Sequence, residues 1–124
     1  MIKTVYTKNA PEPVGPYSQA IIAGNFLYCS GQIAINPETN RLIDGGIEQE
    51  TTQVMENIAE ILKAAGFEFK DVIKTTCFLN DMNDFVVFNN IYEKYFISKP
   101  ARSCVQAVLP KNAKVEVEII AFKA

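Results

Sequence analysis

Apolar positions recur along the 124-residue chain with two different periods, and the switches between them predict the elements. From Ile47 to Ala65 the apolar residues Val54, Ile58, Ile61, Leu62 and Ala65 fall on one face of a helix. Glu48 and Glu50 stand in its first turn, where the helix dipole favours anions, and Gly66 supplies the stop. A second helix is predicted from Asp84 to Phe96, capped by Asn83 or Asp81. Its stripe is aromatic: Phe85, Phe88, Tyr92, Tyr95 and Phe96. Lys99-Pro100 prevents its continuation. Period-two segments predict strands at Ile2 to Tyr6, Gln19 to Ala23, Phe26 to Gln32, Val72 to Leu79, Ser103 to Leu109 and Val115 to Phe122. Gly24-Asn25 is a two-residue hairpin turn, and Pro11, Pro13 and Pro16 mark an extended surface loop before Tyr17. The order β-β-β-α-β-α-β-β predicts an α+β domain over residues 1–124, with two helices on one face of a mixed sheet of about six strands.

One strand is informative beyond its existence. Alternation from Val115 to Phe122 sends Val115, Val117, Ile119 and Ala121 to one face and Glu116, Glu118, Ile120 and Phe122 to the other. Ile120 and Phe122 are then bare unless a second subunit covers them, so an oligomer is expected.

Composition narrows the chemistry. Lys plus Arg is 12 and Asp plus Glu is 14, a net charge of −2, which gives no bulk attraction to nucleic acid. There is no histidine, so triads that use imidazole as base and His-ligated zinc sites are excluded. The three cysteines, Cys29, Cys77 and Cys104, form no C-x-x-C pair and read as reduced thiols. No metal or cofactor is expected. Met1 to Lys8 lacks a signal-type apolar region, arginine is absent before Arg41, and no apolar run approaches ~18 residues. A cytoplasmic protein without a membrane segment is expected.

Four places break a local rule. Arg102, one of two arginines, opens an apolar strand just after Pro100-Ala101. Its planar fork suits a carboxylate, either that of a ligand or that of Glu116 or Glu118 in an ion pair. Glu116 and Glu118 share a strand face with large apolar groups. Asn89 lies only about 40° from Phe85 on the helical wheel, inside the aromatic stripe, so its amide needs a partner, either across to the sheet or in a ligand. Ser30-Gly31-Gln32 ends a strand with a glycine that permits close approach, and Tyr17 follows the proline loop. Cys104 shares a strand face with Arg102, whose charge favours the thiolate, but no histidine is present to activate it.

Together these segments resemble the RidA (YjgF) family of reactive-intermediate deaminases. The matching pieces are Gly15-Pro16-Tyr17-Ser18-Gln19, Ser30-Gly31-Gln32 with Asn36-Pro37, Ala64-Ala65-Gly66 and Val72-Ile73-Lys74-Thr75-Thr76. Asp81-Met82-Asn83-Asp84-Phe85, Pro100-Ala101-Arg102-Ser103-Cys104-Val105 and Val115-Glu116-Val117-Glu118 also match, in order and over nearly the whole chain. The resemblance implies a chorismate-mutase-like fold and a homotrimer with a central barrel and three sites in the clefts between subunits. It implies hydrolysis of 2-imino acids, such as 2-iminobutanoate and 2-iminopropanoate released by pyridoxal-phosphate-dependent dehydratases, to 2-oxo acids and ammonia. The family's carboxylate-binding arginine falls on Arg102 and its water-positioning glutamate on Glu116. Its other substrate-binding residues fall on Tyr17, Ser30, Gly31, Asn89 and Cys104. Between Arg102 and Leu109-Pro110 this chain is one residue shorter than the family pattern, and a one-residue change flips side chains across a strand, so Glu118 stands as the alternative to Glu116. Two other functions compete with deamination: an RNA-acting protein, as some relatives are described, and a non-catalytic trimer that holds small carboxylates.

Overall fold

The computed structural model describes residues 1–124. In chain order the elements are β1 (Ile2–Val5), β2 (Ala20–Ala23), β3 (Phe26–Gln32), β4 (Ile35–Asn36), β5 (Arg41–Leu42), α1 (Ile47–Ala65), β6 (Val72–Leu79), α2 (Phe85–Tyr95), β7 (Ala101–Gln106) and β8 (Val115–Phe122). Six strands form one sheet in the order β1-β2-β3-β8-β6-β7, antiparallel except for the β6–β7 pair, and β4 and β5 form a separate small hairpin. The fold is therefore α+β with a mixed six-stranded sheet and two helices, as the periodicity predicts.

Most boundaries coincide with the periodic segments. α1, β3, β6 and β8 match residue for residue. Gly66 takes a left-handed conformation (φ 82°), and its N–H with that of Phe67 closes the end of α1 on Lys63 and Leu62. The prediction for β7 is wrong at both ends. It begins at Ala101 and stops at Gln106, because its parallel partner runs out: Lys74 pairs with Ala101 and Leu79 with Gln106. A last rung joins the Ala107 N–H to the Leu79 carbonyl, and Val108 beyond it is 96% exposed. β1 likewise ends at Val5, opposite Ala20, the first residue of its partner. Asp81 caps one turn earlier than expected: its carboxylate accepts the N–H of Asn83 at 2.9 Å, in a 3₁₀ turn (Met82–Asp84) that leads into α2. The β4–β5 hairpin is too short for periodicity to reveal.

Both helices cover one face of the sheet. Val54, Ile58, Ile61 and Leu62 of α1 and Phe88, Tyr92 and Phe96 of the aromatic stripe are buried against Val115, Val117, Ile119 and Ala121 of β8. Full burial of each such side chain contributes about 1.5–3 kcal/mol. The other face carries Phe26, Tyr28 and Phe122, all more than a third exposed, with the Phe26 and Phe122 rings 5.0 Å apart.

The proline loop is anchored by one residue. Gln19, 2% exposed, accepts the Thr7 N–H at 2.7 Å and donates to the carbonyls of Thr7 and Pro11, both at 2.9 Å. Ser30 Oγ donates to the Ser18 carbonyl at 2.6 Å. Gln19→Leu leaves several of these buried groups unpaired, at about 1–3 kcal/mol each, so urea unfolding is expected to show a markedly lower midpoint. The loop carrying Tyr17 is expected to become protease-sensitive.

A candidate site in two halves

The first half is built on β7 and α2. Arg102 pairs in register with Thr75 of β6, and Thr75 pairs with Ile119 of β8. Residues opposite one another on neighbouring strands share a face. Thr75 is fully buried and its hydroxyl meets the Tyr92 hydroxyl at 2.7 Å, so this is the helix-covered face. Arg102, at the edge strand, reaches α2. Its Nη1 donates to Asn89 Oδ1 at 2.7 Å, and its guanidinium carbon stands 4.8 Å from the Tyr92 ring centre and 5.5 Å from that of Phe85. Aromatic rings hold the guanidinium plane by cation–π attraction without neutralising it. Neither Glu116 nor Glu118 pairs with Arg102; the one ion pair in the chain is Lys70–Glu68, 3.6 Å apart on the surface. Only Nη1 has a partner within the chain, and Arg102 lines an open hollow of about 340 Å³ with Asn89, Tyr92, Glu93, Phe96, Lys99 and Pro100. Asn89 is thus the helix-to-sheet bond and fixes the fork.

The second half lies on the bare face. Glu116 pairs with Phe78 of β6 and points away from the helices. It lines a hollow of about 400 Å³ with Val14, Tyr17, Ser30, Gly31, Pro110 and Lys111 among others. Here β3 bulges: Cys29 opposes Ile119 and Gln32 opposes Val117, so Ser30 and Gly31 together face the single residue Glu118. The bulge brings the Gly31 backbone against the Glu116 side chain. A Cβ added at Gly31 would overlap Glu116 Oε2 and lie 2.9 Å from its Cδ, so only glycine leaves the Glu116 carboxylate in this position. Burial raises the Glu116 pKa above its ordinary value, and the like charge of Glu118 raises it further. Glu118 shares the face but is exposed and does not line the hollow. Of the two carboxylates, Glu116 is the one within the cavity.

Arg102 and Glu116 therefore belong to opposite faces of the sheet within one chain. Tyr17, Ser30, Gly31 and Glu116 come together; Asn89, Arg102 and Cys104 come together; the two groups do not meet. The Ser30 hydroxyl is already used to hold Ser18. Cys104 lies beside Cys77 on the Arg102 face, and the expectation for its thiol needs correction: burial pushes its pKa up, against the opposing charge of Arg102. Cys29 and Cys77 are both pushed up to about 12, chiefly by burial. None of the three is a reactive thiolate. No cluster of three or more His, Cys, Asp or Glu residues is placed to hold a metal ion. Two contributors escaped the sequence reading. Lys111 was unreadable because it reaches the hollow through a left-handed turn (φ 58°). The Phe85–Tyr92 clamp on Arg102 was visible only as a core stripe.

Residues 7–123 match the family described as Endoribonuclease L-PSP. A RutC family protein of Pyrococcus horikoshii is 53% identical over 99% of both chains. The human 2-iminobutanoate/2-iminopropanoate deaminase is 45% identical over 98% of this chain and 90% of its own. RidA from an Antarctic Psychrobacter superposes with a TM-score of 0.94 at 41% identity, covering 98% of this chain and 99% of its own. Escherichia coli TdcF, solved with bound serine, gives 0.93 at 38% identity with the same coverage. The chain belongs to the L-PSP/RidA family, whose mammalian members include 2-iminobutanoate/2-iminopropanoate deaminases. No helix is long and apolar enough to cross a membrane.

Proposed function

We propose that the protein hydrolyses 2-imino acids to 2-oxo acids and ammonia, at sites formed where two copies of the chain meet. The observation that carries this reading is an arginine with no carboxylate partner on one face and a half-buried carboxylate in a hollow on the other. A homotrimer with a central barrel places the Arg102 half of one subunit over the Glu116 hollow of the next and covers the bare face of Phe26, Tyr28 and Phe122. The 45% identity to the human deaminase supports the reaction, and the serine bound to TdcF supports a small carboxylate ligand.

The chemistry follows from the parts. Arg102 grips the substrate carboxylate and fixes the C=N carbon. Glu116 holds a water, takes its proton as the oxygen bonds to that carbon, and stabilises the cationic iminium by opposite charge. The carbinolamine nitrogen takes that proton back from Glu116; the C–N bond then breaks, ammonia leaves, and the hydroxyl gives its proton to the freed Glu116 carboxylate as the C=O of the 2-oxo acid forms. Tyr17, Ser30, Gly31, Asn89 and Cys104 shape the pocket. The cytoplasm, where dehydratases release such imines, goes with this reading.

The test is a coupled assay. A threonine dehydratase generates 2-iminobutanoate, and the protein is expected to shorten the imine's lifetime. Wild-type protein with no effect on that lifetime contradicts the reading, and RNA cleavage abolished by Arg102→Ala would replace it with the ribonuclease one. A pH prediction separates the two glutamates. The base form of Glu116 is active, so turnover falls as pH drops through its raised pKa. Glu118→Gln removes the like charge that helps raise it, so the acid limb moves to lower pH while turnover at neutral pH stays near wild type. Loss of neutral-pH turnover in Glu118→Gln alone would transfer the water-holding role to Glu118.

A further inference from the structure

We infer that Glu50 is a positioning residue for the Glu116 hollow, an inference that rests on the deaminase reading of that site. Glu50 lies in the first turn of α1 and is 3% exposed. Its Oε1 accepts the backbone N–H of Lys114 at 2.9 Å. The carbonyl of the same Lys114 accepts the N–H of Asn80 at 3.0 Å. Lys114 is thus held from the helix on one side and from the end of β6 on the other, at the residue before β8 begins. Two residues onward is Glu116. Three residues back is Lys111, and both Lys111 and Asn112 are left-handed (φ 58° and 57°).

Two successive non-glycine residues in that conformation persist only where their surroundings impose it. The turn has one rung of its own, from the Ala113 N–H to the Pro110 carbonyl at 3.0 Å. The bonds from Glu50 and Asn80 fix where the turn ends, and so how Lys111 and Glu116 enter the same hollow. Burying a carboxylate to accept one amide N–H is costly. Desolvation raises the Glu50 pKa, the N–H and charge of Lys114 oppose the rise, and Asp84 adds to it. What the site needs from Glu50 is an acceptor oxygen at the right reach, which a glutamine also provides.

Three variants test this, measured by 2-iminobutanoate turnover across pH and by the circular dichroism of the folded chain. Glu50→Leu removes the acceptor and is expected to lower kcat about tenfold with KM within about twofold, since the water is mispositioned while the Arg102 grip is untouched. The acid limb of kcat is expected to move to lower pH as Glu116 becomes better hydrated. The charged and titratable groups facing Glu116 are Glu118 on its own strand, Lys111 on the turn and Tyr17 on the proline loop, and none is altered. Glu50→Asp, which withdraws the oxygen by one methylene, should act in the same direction, so the test stands if Glu50→Leu does not fold. Glu50→Gln should restore both kcat and the acid limb. Glu50→Asp with unchanged kcat and acid limb, or Glu50→Gln as impaired as Glu50→Asp, overturns the inference. A wild-type protein without imine hydrolysis overturns the deaminase reading, and this inference with it; a fully active wild type with indifferent Glu50 variants overturns the inference alone.

Discussion

Arg102→Ala is expected to cut kcat/KM for 2-iminobutanoate by about 100-fold or more, since a charge-assisted pair of bonds to a carboxylate contributes about 1.5–3 kcal/mol per bond and every 1.4 kcal/mol is tenfold. The structure explains why no other residue substitutes. Arg102 has no ion-pair partner in its own chain, its one internal bond goes to a neutral amide, and its guanidinium lies against the Tyr92 and Phe85 rings. These contacts fix the plane and leave the charge available. Arg102→Lys is expected to fail nearly as badly, because a compact ammonium offers neither the planar fork nor the flat contact with the Tyr92 and Phe85 rings. Stability should fall only by the bond to Asn89 and the contacts with the two rings, about 1–3 kcal/mol in all, since Arg102 forms no buried ion pair. Kinetics and thermal unfolding on the same preparations check both statements, and near-normal turnover in either variant would remove Arg102 from the site.

Gly31→Ala is expected to abolish most turnover for a different reason. The added methyl would overlap Glu116 Oε2, with Cδ at 2.9 Å and Cγ at 3.0 Å. The colliding atoms are the far end of a side chain that can rotate, so the sheet survives and the carboxylate gives way. A displacement of about 1 Å in a catalytic group costs on the order of 100-fold, so kcat should fall by about that factor with little change in unfolding temperature. Large destabilisation with intact specific activity in the folded fraction would show instead that Gly31 serves the bulge alone.

Local periodicity accounts for what was legible in the chain. Val115 to Phe122 alternates cleanly because one face is buried, so its bounds and the facing of Glu116 could be read directly. α1 was bounded by its apolar stripe and by Gly66, which the left-handed stop requires. The end of β7 was not legible, because it is set by where β6 ends. The bulge at Ser30-Gly31 was not legible either, since nothing local marks two residues that must share one partner. Arg102 and Glu116 could each be picked out as misplaced polar groups, yet their placement on opposite faces depends on register through β6, information held by no single segment. The planar fork of Arg102 left an ion pair with Glu116 or Glu118 open, and the register puts those carboxylates on the opposite face.

Arg102 and Glu116 lie on opposite faces of one chain, so the proposed site takes them from two chains, which complementation tests most directly. Arg102→Ala and Glu116→Gln subunits, each inactive alone, are mixed in equal amounts, unfolded and refolded together. Half the arginine halves and half the glutamate halves are then intact, and random assembly into a closed ring restores about a quarter of the wild-type turnover. Mixed oligomers, verified by native mass spectrometry, that remain as inactive as either parent would mean that guanidinium and carboxylate do not combine across chains, contrary to the proposed shared site.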